Sequence, residues 1–148
     1  MPDTCPECGA EFREGLTCQS VFEQFLALEF TDPGYGEVHL LTVACFMIQH
    51  ERYSHEGLSW IEQRLRDHLE GGMPVSLIRQ GAAKDVNQEQ RDWKVTRRPG
   101  DPPQAKIAWS MTILDVALNY QGAESYREWV KKWARLTLQE MKPLLKEM

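Results

Sequence analysis

A chain of 148 residues, 42% of them hydrophobic, is long enough to bury a core of its own without added staples. Its net charge of −5 disfavours nucleic acid or an anionic membrane as the main partner, and no run approaches the roughly 18 consecutive apolar residues of a membrane span. The first residues show no cationic segment ahead of an apolar run, so a cytoplasmic location is expected, and in that reducing compartment the four cysteines suit metal or redox chemistry better than structural disulfides.

Three of those cysteines fall within the first 18 residues. Residues 1–17 contain Cys5-Pro6-Glu7-Cys8-Gly9, a pattern typical of a zinc knuckle, in which the glycine lets the backbone turn so that amides point back at the first sulfur. A redox pair would want the same cysteines at a helix N-terminus after a strand, to depress a thiol pKa. No such strand and helix are legible there.

Residues 18–50 read as a helical hairpin. Thr17 offers an N-cap for a helix from about Cys18 to Phe30, with Val21, Phe22, Phe25, Leu26 and Leu28 on its apolar face. The run Asp32-Pro33-Gly34-Tyr35-Gly36 breaks it. The second arm, from about Glu37 to His50, carries Leu40-Leu41-Thr42-Val43-Ala44-Cys45-Phe46-Met47-Ile48. It is apolar nearly all round, as befits a central helix surrounded by others.

That hairpin selects a fourth metal ligand. Arms joined by so short a turn run antiparallel, and at ~1.5 Å per residue each is about 18 Å long, so the start of one lies beside the end of the other. Cys18 then meets His50, whereas His39 lies near Glu29 and Phe30, too far to share the same ion. The expected zinc shell is therefore Cys5, Cys8, Cys18 and His50, with His55 as the substitute if the second arm ends early. Cys45 sits more than a turn inside the apolar helix and reads as a small core residue.

The head Cys5-Pro6-x-Cys8-Gly9, the later Cys18, the segment Val38-His39-x-x-x-Val43 and the pair Gln49-His50 resemble a family of small bacterial proteins described only as a domain of unknown function. The resemblance covers the first half of the chain and implies that His39 and His50 are both family positions. It implies no activity. Members of that family often carry proline directly after the Gln-His pair, where this chain has Glu51.

His39 shares a stripe with Val43, Phe46 and His50, and Glu29 or Asp32 can reach its imidazole. A histidine–carboxylate pair has the parts of a general base or of a second, weaker metal site, but the more common role of such a pair is structural. Farther along, Leu58, Ile61, Leu65 and Leu69 predict a third helix ending at Gly71-Gly72, opened by Glu56 or by the capping box Ser59-x-x-Glu62. His68 near its end complements the helix dipole.

Residues 79–108 read as an irregular loop region, preceded by a short apolar run, Met73 to Ile78, that suits a helical turn or an edge strand. Trp93, Lys94, Arg97, Arg98 and Lys106 combine cations with an aromatic ring, as a single-strand nucleic-acid surface does; in an acidic chain a solvated loop anchored by one tryptophan is the favoured reading. A fourth helix is expected from Trp109 to Tyr120, with Thr112-x-x-Asp115 as a start signal and Gly122 as its C-cap. A fifth starts at Ser125-x-x-Glu128 and carries Tyr126, Trp129, Val130, Trp133, Leu136 and Met141 at helical spacing until Pro143.

The sequence thus predicts an all-α protein, residues 1–148 forming a single domain of about five helices in an up-down bundle with an N-terminal zinc knuckle. The expected role is a zinc-stabilised binding or interaction module with an unidentified protein or small-molecule partner, no membrane, and an open oligomeric state. Two alternatives stand beside it. In one, an open Cys-rich zinc site with Glu29, Asp32 or His39 managing protons supports a hydrolase-type reaction; in the other, residues 93–106 bind nucleic acid.

Overall fold

The structure, a computed structural model, describes residues 4–12, 15–74, 77, 78, 80, 96–98, 100, 101 and 104–145. It is mostly helical. Among the described residues seven helices are delimited: α1 (Cys18–Thr31), α2 (Pro33–Gly36), α3 (His39–Gln49), α4 (His55–Leu69), α5 (Ile113–Asn119), α6 (Gly122–Glu140) and α7 (Lys142–Leu145). The two beyond the expected five are single turns, α2 and α7, each with a proline in its first turn. Proline halts the longer preceding helix, yet its fixed φ suits the first turn of a new one. No β-strand forms among the described residues; isolated bridges there include Thr4–Glu11 and Tyr53–Thr96.

Local chemistry explains most helix ends. At the start of α1 the Ser20 amide donates to Thr17 Oγ1 at 3.1 Å while the Thr17 amide donates to Ser20 Oγ at 2.9 Å, so two otherwise orphaned N–H groups are satisfied. Asp32 caps α2 by accepting from the Gly34 amide at 2.9 Å. The third helix begins earlier than a Ser59 capping box predicts: the cap is Ser54, whose Oγ accepts from the Gly57 amide at 2.9 Å. Thr112 does open α5, its amide donating to the Asp115 carboxylate at 2.8 Å. Two further expectations are corrected. Gly122 does not cap α5, whose C-cap is Tyr120, but begins α6 at φ +82°, a left-handed value that makes the reversal between the two helices. Ser125 consequently lies inside α6, accepting from the Gln121 amide at 3.1 Å.

The α1–α3 pairing is antiparallel, as three side-chain rungs show. Cys18 lies at His50, the Phe22 ring stacks on Phe46 with centroids 4.0 Å apart, and Glu29 reaches His39 at 2.9 Å. The α3 helix buries Leu41, Thr42, Ala44, Cys45, Phe46, Ile48 and Gln49, so it is enclosed as expected. The hub, however, is α6, which packs on α2, α3, α4, α5 and α7. Tyr126 on α6 illustrates the join: its hydroxyl pairs with Thr42 at 3.2 Å, and Phe25, Tyr35 and Tyr120 meet its ring edge-on, with centroids 5.0–5.5 Å away. Trp133 on the same face is wholly buried, a core residue.

Of the ambiguous run after α4, Leu77 and Ile78 have helical backbone, and Ile78 is buried. Trp93 and Lys94, on which the nucleic-acid expectation partly rests, lie outside the described residues. No helix among those described is long and apolar enough to cross a membrane.

Candidate metal centre

The site assembles from three pieces of chain. The first is a tight turn. Gly9, at φ +82°, lets its own amide donate back to the Cys5 carbonyl at 2.9 Å, while the Cys5 amide donates to the Ala10 carbonyl at 2.8 Å. This curl sets the Cys8 amide 3.5 Å from Cys5 Sγ, so a backbone dipole faces that sulfur. The second piece is the first turn of α1, which carries Cys18 immediately after the Thr17 cap. The third is the end of α3.

Here the helix stops abruptly. His50 is the C-cap, and the next two amides turn back, Glu51 to the Ile48 carbonyl at 3.3 Å and Arg52 to the Met47 carbonyl at 2.9 Å. This pair of bonds makes a Schellman motif, whose C′ residue takes a left-handed conformation usually reserved for glycine. Glu51 occupies it with φ 58°. Proline, with its φ fixed at about −65°, could not adopt that angle; Glu51 does, and its carboxylate is tied to Lys106 at 3.1 Å.

Together these pieces place the ligand atoms of Cys5, Cys8, Cys18 and His50 within 4.8 Å of one another, all four residues being buried to 7% exposure or less. A tetrahedral ion with Zn–S of ~2.3 Å needs sulfur–sulfur edges of ~3.8 Å. Cys8 and Cys18 have their sulfurs 3.5 Å apart. The histidine is oriented for the task as well. Its Nδ1 lies 2.7 Å from the Phe46 carbonyl, which can only accept, so Nδ1 carries the proton. The lone pair is then on Nε2, which is enclosed without a hydrogen-bond partner. A ligating imidazole held by a carbonyl on its other nitrogen is the ordinary support of a metal-bound histidine. Ring stacking adds a second restraint: Phe22 lies on Phe46, and Phe46 on His50 at 4.3 Å.

The electrostatics point the same way. The Cys8 thiol is pulled down to about 4, first by the Cys18 thiol against it and then, working against burial, by His50. Cys18 is pushed far up by that same Cys8 contact and by burial. Three sulfurs this close cannot ionise together unaided, because each thiolate raises the others. A divalent cation removes that conflict and releases the protons.

The remaining candidates lie elsewhere. His39 is bonded through Nδ1 to Glu29 at 2.9 Å, a partly exposed pair, and eleven residues of helix put it ~16 Å from His50. His55 begins α4 and is not one of the four. His68 donates from Nδ1 to the Met73 carbonyl at 2.8 Å, closing the turn after α4. Cys45 is fully enclosed, and burial raises its thiol to about 12. Of the cations that accompany Trp93 in the sequence, the three described ones are engaged: Arg98 with the Asp101 carboxylate at 3.8 Å, Arg97 with the Asp101 carbonyl at 3.3 Å, and Lys106 with Glu51. What residue patterns do not reveal is the support around the ligands. Phe46 supplies both ring and carbonyl to His50, and Gln49 anchors the helix end by donating to the Met111 carbonyl at 2.9 Å and to Thr137 at 3.1 Å; spacing marks each only as a member of an apolar helix.

Fold and site together define a mostly helical protein with a buried three-cysteine, one-histidine cluster. More narrowly, the chain belongs to a family of unknown function, DUF5946, which matches residues 3–142. Neither the curated proteins nor the solved structures contain a match to it.

Proposed function

We propose that this chain is a small zinc-stabilised helical protein acting as a binding or interaction module in the cytoplasm. In this reading it is one domain, residues 1–17 forming a zinc knuckle clipped across the open end of the α1–α3 hairpin of an up-down bundle. The observation that carries the reading is the enclosed, unpartnered His50 Nε2 among three buried sulfurs. A buried polar nitrogen without a partner is costly, and an ion at that point satisfies it. Cys5, Cys8, Cys18 and His50 would hold the zinc, which would close the shell and couple the head of the chain to the helices.

Burial of all four donors supports a structural metal over a catalytic one, since a catalytic zinc keeps a position open to substrate. The hydrolase alternative also needs a proton-managing group at the metal, and the Glu29–His39 pair is an arm's length away. Nucleic-acid binding is weakened by the pairing of Arg98 and Lys106 with carboxylates.

The test is metal content per chain on protein purified without added metal, together with an X-ray absorption spectrum. One zinc with three sulfur and one nitrogen neighbours is the expected result. An oxygen in the shell, iron in place of zinc, or a metal-free protein would overturn the assignment.

A further inference from the structure

Gln49 is known from the sequence only as the neighbour of His50, yet its side chain is buried at 1% exposure. Its amide has one possible orientation. Nε2 donates to the Met111 carbonyl, an acceptor only, so the NH2 group must face that way and Oε1 the other. That Oε1 is enclosed and unpartnered. Gln104 repeats the arrangement: Nε2 donates to the Tyr53 carbonyl at 2.9 Å, and Oε1 is enclosed without a partner.

Both glutamines line one small cavity, where the Cys5–Cys8 turn, the end of α3, residues 104–109 and α7 meet. Its volume, about 10 Å³, is roughly what one water molecule requires. We infer that this cavity is a binding site for a single water, which donates one hydrogen to Gln49 Oε1 and the other to Gln104 Oε1. It thereby ties the segment 104–109 to the helix end that carries His50.

Other occupants fit less well. The two oxygens are acceptors, and Lys106, which also lines the cavity, is already paired with Glu51 at 3.1 Å, so an anion gains little there. Glu7 and Glu51 also line the cavity, but each already has a cationic partner, Arg52 at 3.7 Å and Lys106 at 3.1 Å. A hard cation left with two neutral oxygens falls short of the ~6 oxygen ligands it prefers. Water needs only the two acceptors that two fixed amides present.

A high-resolution crystal structure of the full chain tests this directly. The expected result is one solvent peak ~2.7–3.0 Å from both amide oxygens, lost in the Gln104→Met variant, which keeps side-chain volume and removes the acceptor. Unchanged zinc content in that variant would show that the metal reading stands apart from this one. An empty cavity in the parent protein would overturn the inference, as would a peak that persists unchanged in the variant. So would a peak with short contacts to the Glu7 and Glu51 carboxylates, together with a melting temperature that drops when sodium and potassium are replaced by tetramethylammonium, because that occupant is a cation.

Discussion

Replacing Cys18 with alanine, beside the matched change at Cys45, separates a metal ligand from a core thiol. Both sulfurs are buried, at 4% and 0% exposure, and each substitution removes the same atom. At Cys45 the loss is packing together with a thiol hydrogen bond to Thr137, on the order of 1–2 kcal/mol for a small group taken from a dense core. At Cys18 the same packing loss is joined by weakened metal binding. An ion that binds only the folded state contributes RT ln(1 + [L]/Kd), so a thousandfold weaker site at fixed free zinc lowers stability by about 4 kcal/mol. For a chain of this length ~2–4 °C accompanies each kcal/mol, which predicts a fall of about 8–16 °C from the metal term. Differential scanning calorimetry with and without a strong chelator reads both parts. In chelator the two variants should fall within a few degrees of one another, and without it only Cys18→Ala should have lost metal. A Cys18→Ala protein that keeps one zinc with parental chelator resistance would refute the reasoning, as would a Cys45→Ala protein that loses it.

Other perturbations probe the surroundings. Cys45 keeps its proton up to about 12 in the folded chain against an ordinary 9.0; between these values the unfolded chain releases a proton that the folded one retains. Stability from this group is therefore complete below pH ~9 and falls as pH rises, by up to ~1.4 kcal/mol per pH unit. Buried Tyr53 and Tyr126 shift in the same direction, so urea midpoints at about pH 8 and about pH 10.5 should differ less for Cys45→Ala than for the parent; an equal difference would remove Cys45 from the account. At Glu51, valine should cost about 1–2 kcal/mol by forcing a β-branched residue into a left-handed angle, while glycine should stay within about 0.5 kcal/mol of the parent. Equal urea midpoints for the two would show that the Schellman turn does not form in solution. Finally, His39→Gln should change stability by less than about 1 kcal/mol, as expected for a partly exposed pair, and leave zinc content unaltered. Loss of zinc on that change, measured by atomic emission, would bring His39 back into the site.

Much of the site was legible because its chemistry is written in rare residues. Cys5, Cys8 and Cys18 cluster near the start, and one short break at Asp32-Pro33 suffices to fold Cys18 back to His50. Antiparallel geometry then separates His50 from His39 by helix rise alone. Helix starts were less legible. Ser59 and Ser125 each carry an acidic residue three positions on, but a capping box identifies a possible start and cannot exclude an interior position when Ser54 or Gly122 starts the helix sooner. The place of α6 was also hidden: amphipathic spacing says which face turns inward and not how many neighbours meet it. The orientation of His50 rests on a backbone carbonyl and a ring stack, features a residue pattern does not encode.

The position of the four ligands along the chain bears on the order in which the molecule assembles. All of them have been synthesised by residue 50, long before α6 exists to cover the other flank of α3. If the four residues hold the proposed zinc, a nascent hairpin could capture it while Leu41, Cys45 and Ile48 still await their partners. Because a clip that joins Cys5 to His50 shrinks the space of open conformations, the captured ion would hold the apolar arm in its hairpin during the interval when it is most prone to stick to other chains.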